Sequence, residues 1–305
     1  MKSKRNTDTS TEVDSPNKGL AGSSHAYYQL IKPGIVYSNT LMAAAGFFLA
    51  AAQVWRFEAG VFAGLLAGTA LVISSACILN NYIDRGIDGK MARTKNRATV
   101  TRKISGRQAL WYAGILAVLG FACLALLTNW LTVLLGAAAY FAYIVLYGVA
   151  KRKTIYGTLV GAISGGLPPV AGYAAVSGSL DLGALLLFVL LVAWQMPHFY
   201  AIAMRRRSEY KAAGLPVWPV VKGMAATKRQ IVGFIMLFVV ASLALTTFGY
   251  TGVIFAIGMT VLGVAWLLKA RHDGSDEAWA KRMFLFSLVV LLVTMLMVAI
   301  GGLLP

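Results

Sequence analysis

Nine long apolar stretches are the feature that most constrains how this chain folds. A helix needs about 20 mostly apolar residues to cross the hydrocarbon core of a bilayer. Only helices and closed barrels satisfy every backbone polar group within lipid, so runs of this length predict an all-α, polytopic membrane bundle of nine transmembrane helices. The predicted spans are 34–54, 59–80, 109–128, 131–150, 157–177, 183–204, 230–249, 252–270 and 283–303.

The charge balance excludes one large class of basic proteins. The chain has a net charge of +17, yet only 13% of its residues are charged and its mean hydropathy is +0.70. A nucleic-acid-binding protein carries such an excess of cations on a polar surface. This chain has too little polar surface of that kind, so we expect no nucleic-acid partner and contact with membrane lipid instead.

The cations are distributed very unevenly between the two sides of the predicted bundle. Of the 28 Lys and Arg residues, only Arg56 lies in a connection on the second side. Positive residues stay cytoplasmic, which predicts a cytoplasmic N-terminus and, after nine spans, a C-terminus outside. The two long connections, 81–108 and 205–229, then lie on the cytoplasmic side. We therefore expect a multi-pass protein of the bacterial cell membrane whose active site lies near the cytoplasmic face.

The chain divides into two predicted regions of unequal size. Residues 1–30 are polar, of mixed charge and without a long apolar run, which predicts a disordered tail. Residues 31–305 form one transmembrane domain. Within it, Pro168 and Pro169 interrupt the stretch 157–177, and consecutive prolines predict a break or a kink in that helix.

One segment carries the pattern of a metal site. Asn80, Asp84 and Asp88 are spaced so that a continuing helix would present all three on one face. Carboxylate and amide oxygens suit Mg²⁺, which takes substrate phosphates as further ligands. Arg93 and Arg97 follow as donors to an anion. The alternative is that the two carboxylates only form ion pairs with neighbouring Lys and Arg on a solvated loop.

Several segments of the chain, in order, resemble the UbiA-type intramembrane prenyltransferases. The pattern NxxxDxxxD followed by RTxxR is similar to the first signature of that family. The resemblance extends from about Lys32 to about Gly223, and segment 194–216 is most similar to the branch of the family that modifies heme. The matching segments are 32–35 with Asn39, 80–97, 151–152, 156–158, 164–169, 194–199 and 210–216.

The resemblance implies a reaction. A member of this branch transfers the farnesyl group of farnesyl diphosphate to a vinyl group of heme B, with Mg²⁺ bound and with addition of water, and produces heme O. Such a reaction requires stabilisation of the leaving diphosphate and exclusion of premature water. It also implies that heme A synthase or a terminal oxidase assembly partner receives the product.

The resemblance also implies roles for individual residues. Asn80, Asp84 and Asp88 are the expected metal ligands, and Asp84 and Asp88 are expected to be catalytic. Lys151 and Arg152 would neutralise diphosphate oxygens. The ring of Tyr147 would face the allylic cation. The expected substrate-binding residues are Asn39, Arg93, Arg97, His198, Arg205, Arg206, Glu209 and Tyr210.

Each of these roles has a simpler alternative. The positive-inside rule alone places Lys and Arg in these loops, and an interfacial aromatic belt accounts for Tyr147. His198 is either a ligand of the heme iron, a proton shuttle or a hydrogen-bonded structural residue. Glu209 is the only acid of the second long loop, whereas many family members carry an Asp pair there, so this loop alone does not make a second Mg²⁺ site.

Three other functions compete with heme farnesylation. A family member acting on an aromatic or quinone precursor shares the first signature but not segment 194–199. A transporter would carry acids near the middle of the bilayer and paired broken helices, and the sequence has neither. A purely structural assembly protein would not need two long loops on one side.

Overall fold

The computed structural model describes residues 24–271 and 274–304, and all regular secondary structure in these ranges is helical. This confirms the predicted all-α class. A π-helical segment, Ala142–Tyr147, joins the helices before and after it into one continuous helical segment, Trp130–Lys153. The helices are α1 (24–30), α2 (Pro33–Val54), α3 (Ala59–Asp88), α4 (Gly106–Leu127), α5 (Trp130–Phe141), α6 (Gly148–Lys153), α7 (Gly157–Ser177), α8 (Leu182–Arg205), α9 (Arg207–Ala212), α10 (Trp218–Val221), α11 (Gly223–Thr247), α12 (Val253–Lys269) and α13 (Asp276–Gly301).

Within the described residues, eight helices are long and apolar enough to cross a bilayer, so the chain is a polytopic membrane protein. Each coincides with one predicted span, although some ends differ by about two helical turns. The remaining predicted span, 252–270, corresponds to α12, which has 17 residues. At 1.5 Å per residue α12 extends about 25 Å, slightly less than the hydrocarbon core. The count of nine spans and the orientation of the termini therefore stay predictions.

The N-terminal boundary of the membrane domain differs from the prediction. Residues 24–30 form α1, so the predicted disordered tail does not extend to residue 30; the rest of that tail, 1–23, lies outside the described residues. α1 is held by packing, because Leu30 is buried against Ile78 and Ile104. The side-chain amide of Asn81 also donates a hydrogen bond to the carbonyl of Leu30 over 2.9 Å.

Helix α3 continues well beyond its predicted apolar stretch. It contains 30 residues, about 45 Å at 1.5 Å per residue, and is therefore longer than the hydrocarbon core is thick. The helix passes through Gly86 and ends at Asp88. Its last two turns thus carry polar side chains at the end of the bundle to which the long connections attach.

The two prolines of α7 do not break the helix, so of the predicted break or kink the break is wrong and the kink stays a prediction. α7 is continuous from Gly157 to Ser177, with Pro168 and Pro169 inside it. The backbone of α2 lies directly against it: a Cβ atom at Gly46 would collide with the carbonyl oxygen of Pro169. The two backbones therefore pack without an intervening side chain at Gly46.

The centre of the bundle is formed by α7 and α8. α7 packs against α2, α3, α5 and α8, and α8 packs in addition against α11 and α13. Phe238, Trp266 and Trp279 are among the largest fully buried side chains of the core. Through α7, the part of the molecule that contains Asp84 is therefore connected to the part that contains His198.

Candidate active site

The three side chains of the predicted metal site lie on one face of α3. Asn80, Asp84 and Asp88 are exposed by only 5%, 7% and 3%, respectively. The Asn80 amide nitrogen donates a hydrogen bond to Oδ2 of Asp84 over 2.9 Å. The shared face expected from their spacing is present because α3 stays helical up to Asp88.

Two cations from α6 bind the Asp84 carboxylate. The Lys151 ammonium forms an ion pair with Oδ2, and the Arg152 guanidinium donates to Oδ1 over 2.9 Å. Arg152 also donates to the carbonyl of Ile83 over 3.2 Å. The positive-inside rule alone predicts cations in this connection, but it does not predict that they pair with a buried carboxylate. The structure therefore joins Lys151 and Arg152 to the predicted metal ligands.

The connection after α3 folds back, so that a third cation, Arg97, contacts the same face of α3. Arg97 donates to Oδ2 of Asp88 over 2.6 Å, and the hydroxyl of Thr94 donates to the Asp88 carbonyl over 2.8 Å. Thr94 is buried, so this connection folds against the end of α3. Arg93, by contrast, is exposed. Asp84 and Asp88 thus each lie against at least one guanidinium group.

Two tyrosines of the π-helical segment border this cluster. The rings of Tyr143 and Tyr147 stack with centroids 5.6 Å apart, and the Lys151 ammonium lies 4.9 Å from the centroid of the Tyr147 ring. A Cβ atom at Gly161 would approach the Tyr147 ring to 2.9 Å, so the glycine makes room for this tyrosine. π-Helical turns occur frequently at functional sites.

Lys32 and Tyr143 belong to the cluster although the sequence analysis did not assign them. Lys32 donates to Oδ1 of Asn80 over 2.9 Å, and the Tyr143 hydroxyl donates to the same oxygen over 3.4 Å. Burial lowers the pKa of Lys32 to about 8. The signals that could have indicated them are a lysine at the edge of the first span and a tyrosine one turn before Tyr147.

The second long connection brings a smaller set of predicted residues together. Glu209 accepts a hydrogen bond from Arg206 over 2.7 Å, within one turn of helix, and Arg207 is exposed. Burial raises the pKa of Tyr210, while Arg93 on the first connection acts in the opposite direction. Tyr210 therefore lies within electrostatic range of the first connection. Asn39 donates to the Ile35 carbonyl of its own helix over 2.7 Å.

His198 occupies a separate environment between α8 and α13. Its ring stacks on Trp194 and is tilted against Phe284, with centroid distances of 5.1 Å in both cases. Its Nδ1 atom lies 2.8 Å from the hydroxyl oxygen of Ser287. The guanidinium of Arg205 lies 5.3 Å from the centroid of the Phe284 ring. His198 and Arg205, two of the expected substrate-binding residues, thus share a neighbour on α13, a helix to which the sequence analysis assigned no site residue.

The donor atoms at Asp84 fit a magnesium ion that also binds a substrate. They are two carboxylates and one amide oxygen, the hard ligands that Mg²⁺ prefers. The described residues contain no group of three or more His, Cys, Asp or Glu side chains that could hold a metal alone. Mg²⁺ commonly completes its coordination with waters and phosphate oxygens. Lys151, Arg152 and Arg97 lie against the same carboxylates and could transfer to such phosphate oxygens.

Comparison with known proteins gives consistent results for sequence and fold. The model of the UbiA prenyltransferase family matches residues 40–302. The protoheme IX farnesyltransferase of Sodalis glossinidius (strain morsitans) is 42% identical over 284 residues, which cover 92% of this chain and 95% of that protein. The protein of the same name from Chromohalobacter salexigens is 43% identical over 278 residues, covering 90% of this chain and 94% of that protein.

Solved structures share the fold at much lower sequence identity. A structure described as digeranylgeranylglyceryl phosphate synthase superimposes with a TM-score of 0.75 at 14% identity, over 92% of this chain and 99% of that chain. A UbiA homolog from Archaeoglobus fulgidus bound to GPP and Mg²⁺ gives a TM-score of 0.68 at 17% identity, over 90% of this chain and 99% of that chain. At such identities the similarity establishes the fold alone.

Proposed function

Since this chain belongs to the UbiA prenyltransferase family, we propose that it is the enzyme that farnesylates heme B. Farnesyl diphosphate loses diphosphate as its allylic C–O bond breaks, and a new C–C bond forms to a vinyl carbon of heme B. Water adds to the neighbouring carbon and releases one proton, so the products are heme O and diphosphate. The relatives named protoheme IX farnesyltransferase, 42–43% identical over about nine-tenths of the chain, support this assignment.

The arrangement of charges around Asp84 carries the proposal. A buried carboxylate paired with Lys151 and Arg152, with Asp88 and Arg97 one turn away, combines ligands for a cation with donors for an anion. A magnesium diphosphate is a substrate group that requires both. When Mg²⁺ is present, Asn80, Asp84 and Asp88 would hold it, and the ion would neutralise the developing charge of the leaving diphosphate.

The protein's own side chains would bind the diphosphate oxygens and shield the allylic cation from water. Lys151, Arg152 and Arg97 would donate hydrogen bonds to diphosphate oxygens, which stabilises the leaving group before and after the C–O bond breaks. The stacked rings of Tyr143 and Tyr147 present an aromatic surface beside this position, and such surfaces attract cations. The same rings exclude water from the allylic cation, so that capture by water occurs only after addition to heme.

The proposed number of membrane spans and their orientation define where in the cell the enzyme acts. Nine membrane spans, with α12 as the eighth in chain order, put the N-terminus in the cytoplasm and the C-terminus outside. The active site then lies near the cytoplasmic face of the bacterial cell membrane, within one domain that comprises residues 31–305 and against which α1 packs. Its apolar product stays in the membrane, where heme A synthase or a terminal oxidase assembly partner would accept it.

Residues of the second connection are proposed to hold the acceptor. Arg205 and Arg206 would bind heme propionates, because guanidinium groups match carboxylates. Tyr210 and Glu209 would border the opening through which substrates reach the Asp84 cluster, with Arg93 opposite. Asn39 would line the same space from α2.

Product analysis tests the proposed function. Purified protein in lipid nanodiscs is incubated with heme B, farnesyl diphosphate and Mg²⁺, and the heme is identified by mass. We expect heme O to form, and to be absent when EDTA replaces Mg²⁺. A protein that binds heme B but forms no heme O would contradict the assignment, and prenylation of an aromatic acid instead would favour the competing acceptor.

A further inference from the structure

An open groove of about 470 Å³ lies between the end of α12 and the start of α13, and it shares no lining residue with the Asp84 cluster. It is at the same end of the bundle as the long connections, because Lys228 of α11 forms an ion pair with Asp276 of α13 over 2.7 Å. One residue of α12, Lys269, and six residues of α13 line the groove. The six are Ala278, Lys281, Arg282, Leu285, Phe286 and Val289.

The lining residues of α13 form one stripe that changes from charged to apolar along the helix. Successive turns contribute to it with the spacing that keeps side chains on one face, and from residue 278 to residue 289 it extends about 16 Å at 1.5 Å per residue. Arg282 is the last charged residue of α13, and only apolar side chains line the groove beyond it. The charged part of the groove therefore lies at the boundary where a bilayer changes from phosphate groups to hydrocarbon.

The cations at the groove have different roles. Arg282 joins the two helices, because its guanidinium donates to the carbonyls of Lys269 and Arg271 over 3.0 and 3.1 Å. Lys269 and Lys281 are exposed and form no ion pair with any residue that the structure describes. Among the described residues no carboxylate lines the groove. The groove thus presents uncompensated positive charge beside an apolar surface.

We propose that this groove binds one anionic glycerophospholipid, with the phosphate at Lys269 and Lys281 and an acyl chain along Leu285, Phe286 and Val289. The inference does not depend on the proposed function. The positive-inside rule predicts cations in this connection, but it does not predict that they border a concave apolar surface on one helix face. A phosphate between the two lysines attracts both, and the apolar stripe beyond them matches the chain attached to that phosphate.

Titration of the purified full-length protein in detergent, followed by native mass spectrometry, measures the affinity for defined lipids. The probes are phosphatidylglycerol, zwitterionic phosphatidylcholine and inorganic phosphate. We expect phosphatidylglycerol to bind more tightly than phosphatidylcholine. It should also raise the unfolding temperature, because it bridges α12 and α13, and inorganic phosphate should not. The double variant Lys269→Gln with Lys281→Gln should bind phosphatidylglycerol about 30-fold more weakly, since each lysine near an anionic headgroup contributes about five-fold.

Two matched variants separate the groove from general effects of charge and size. Lys103→Gln with Lys153→Gln removes the same charge from exposed lysines that do not line the groove. Val289→Trp fills the apolar end of the groove, whereas Val240→Trp places the same side chain at an exposed valine of α11. We expect phosphatidylglycerol binding to weaken in Val289→Trp and to stay at the wild-type level in Val240→Trp.

Each part of the proposal has an outcome that would overturn it. Equal affinities of the two double lysine variants would show that the headgroup is not held at Lys269 and Lys281. Equal binding of phosphatidylglycerol and phosphatidylcholine to the wild-type protein would contradict an anionic site. Equal affinities of the two tryptophan variants would overturn the position of the acyl chain, and equal stabilisation by inorganic phosphate would identify a free anion as the ligand in place of a lipid.

Discussion

Lys32 donates a hydrogen bond from its ammonium group to Oδ1 of Asn80 over 2.9 Å, which links the start of α2 to the polar face of α3. The other end of the same amide donates to Asp84, so both ends of the Asn80 side chain are engaged. Lys32 therefore occupies the oxygen that a metal bound by Asn80 would take. We expect this ammonium to move to a diphosphate oxygen when the substrate binds.

Two substitutions of Lys32 separate its charge from its backbone geometry. Its φ of 54° lies in the left-handed region, which glycine adopts freely and which costs an alanine about 1–2 kcal/mol. We therefore expect Lys32→Gly to unfold at a higher temperature than Lys32→Ala, while both form heme O more slowly than the wild type. Thermal unfolding in detergent and initial rates measure the two effects. Equal stability of the two variants would argue against backbone strain.

Neutralising either carboxylate of α3 should stop the reaction. Asp84→Asn or Asp88→Asn keeps the shape of the side chain but removes a charge that holds the metal, and we expect heme O formation to fall at least about 100-fold. Heme B affinity should stay unchanged, because His198 lies on a different helix. Glu58→Gln is the control, since Glu58 pairs with Arg56 at the surface. Wild-type rates in both Asp variants would refute the metal site.

Removal of Arg97 should make the protein more responsive to magnesium. Arg97→Ala leaves the buried Asp88 carboxylate without its guanidinium partner, which we expect to destabilise the fold by about 1–3 kcal/mol. Mg²⁺ can supply the missing positive charge, so it should raise the unfolding temperature of this variant more than that of the wild type. Arg85→Ala serves as control, because Arg85 is exposed and donates only to the Tyr82 carbonyl. An equal effect of Mg²⁺ on all three proteins would contradict a metal site at Asp88.

The contact between α2 and α7 should tolerate no added methyl group. A Cβ at Gly46 would collide with the Pro169 carbonyl, and one at Gly172 with the Ala43 carbonyl. We expect Gly46→Ala or Gly172→Ala to destabilise the protein by about 1–3 kcal/mol or more, because two backbones must separate. Gly233→Ala is the matched control: its Cβ would meet nothing within 4 Å, and alanine in a helix is favoured by about 0.5–1 kcal/mol. Equal unfolding temperatures for the three variants would show that the helices are not in backbone contact.

Part of the candidate site could be predicted because it lies on one helix. Asn80, Asp84 and Asp88 share a face through helical periodicity alone, and the resemblance to a family supplied Lys151 and Arg152. The sequence analysis missed Lys32, Tyr143 and Ser287. Their contacts join residues that are 48, 63 and 89 positions apart, respectively. The relative position of two packed helices sets such contacts, and no local pattern encodes it.

The sequence by itself determined that this protein is a helical membrane bundle, because a bilayer requires long apolar helices and leaves few alternatives. The distribution of its cations also predicts that the site lies near the cytoplasmic face, and this stays a prediction. Only the tertiary structure decided that α7 remains continuous through Pro168 and Pro169 and that its backbone lies directly against α2, since no local sequence pattern encodes how two helices pack. It likewise decided the surroundings of His198, because the Ser287 hydroxyl that lies 2.8 Å from its Nδ1 atom is contributed by a different helix.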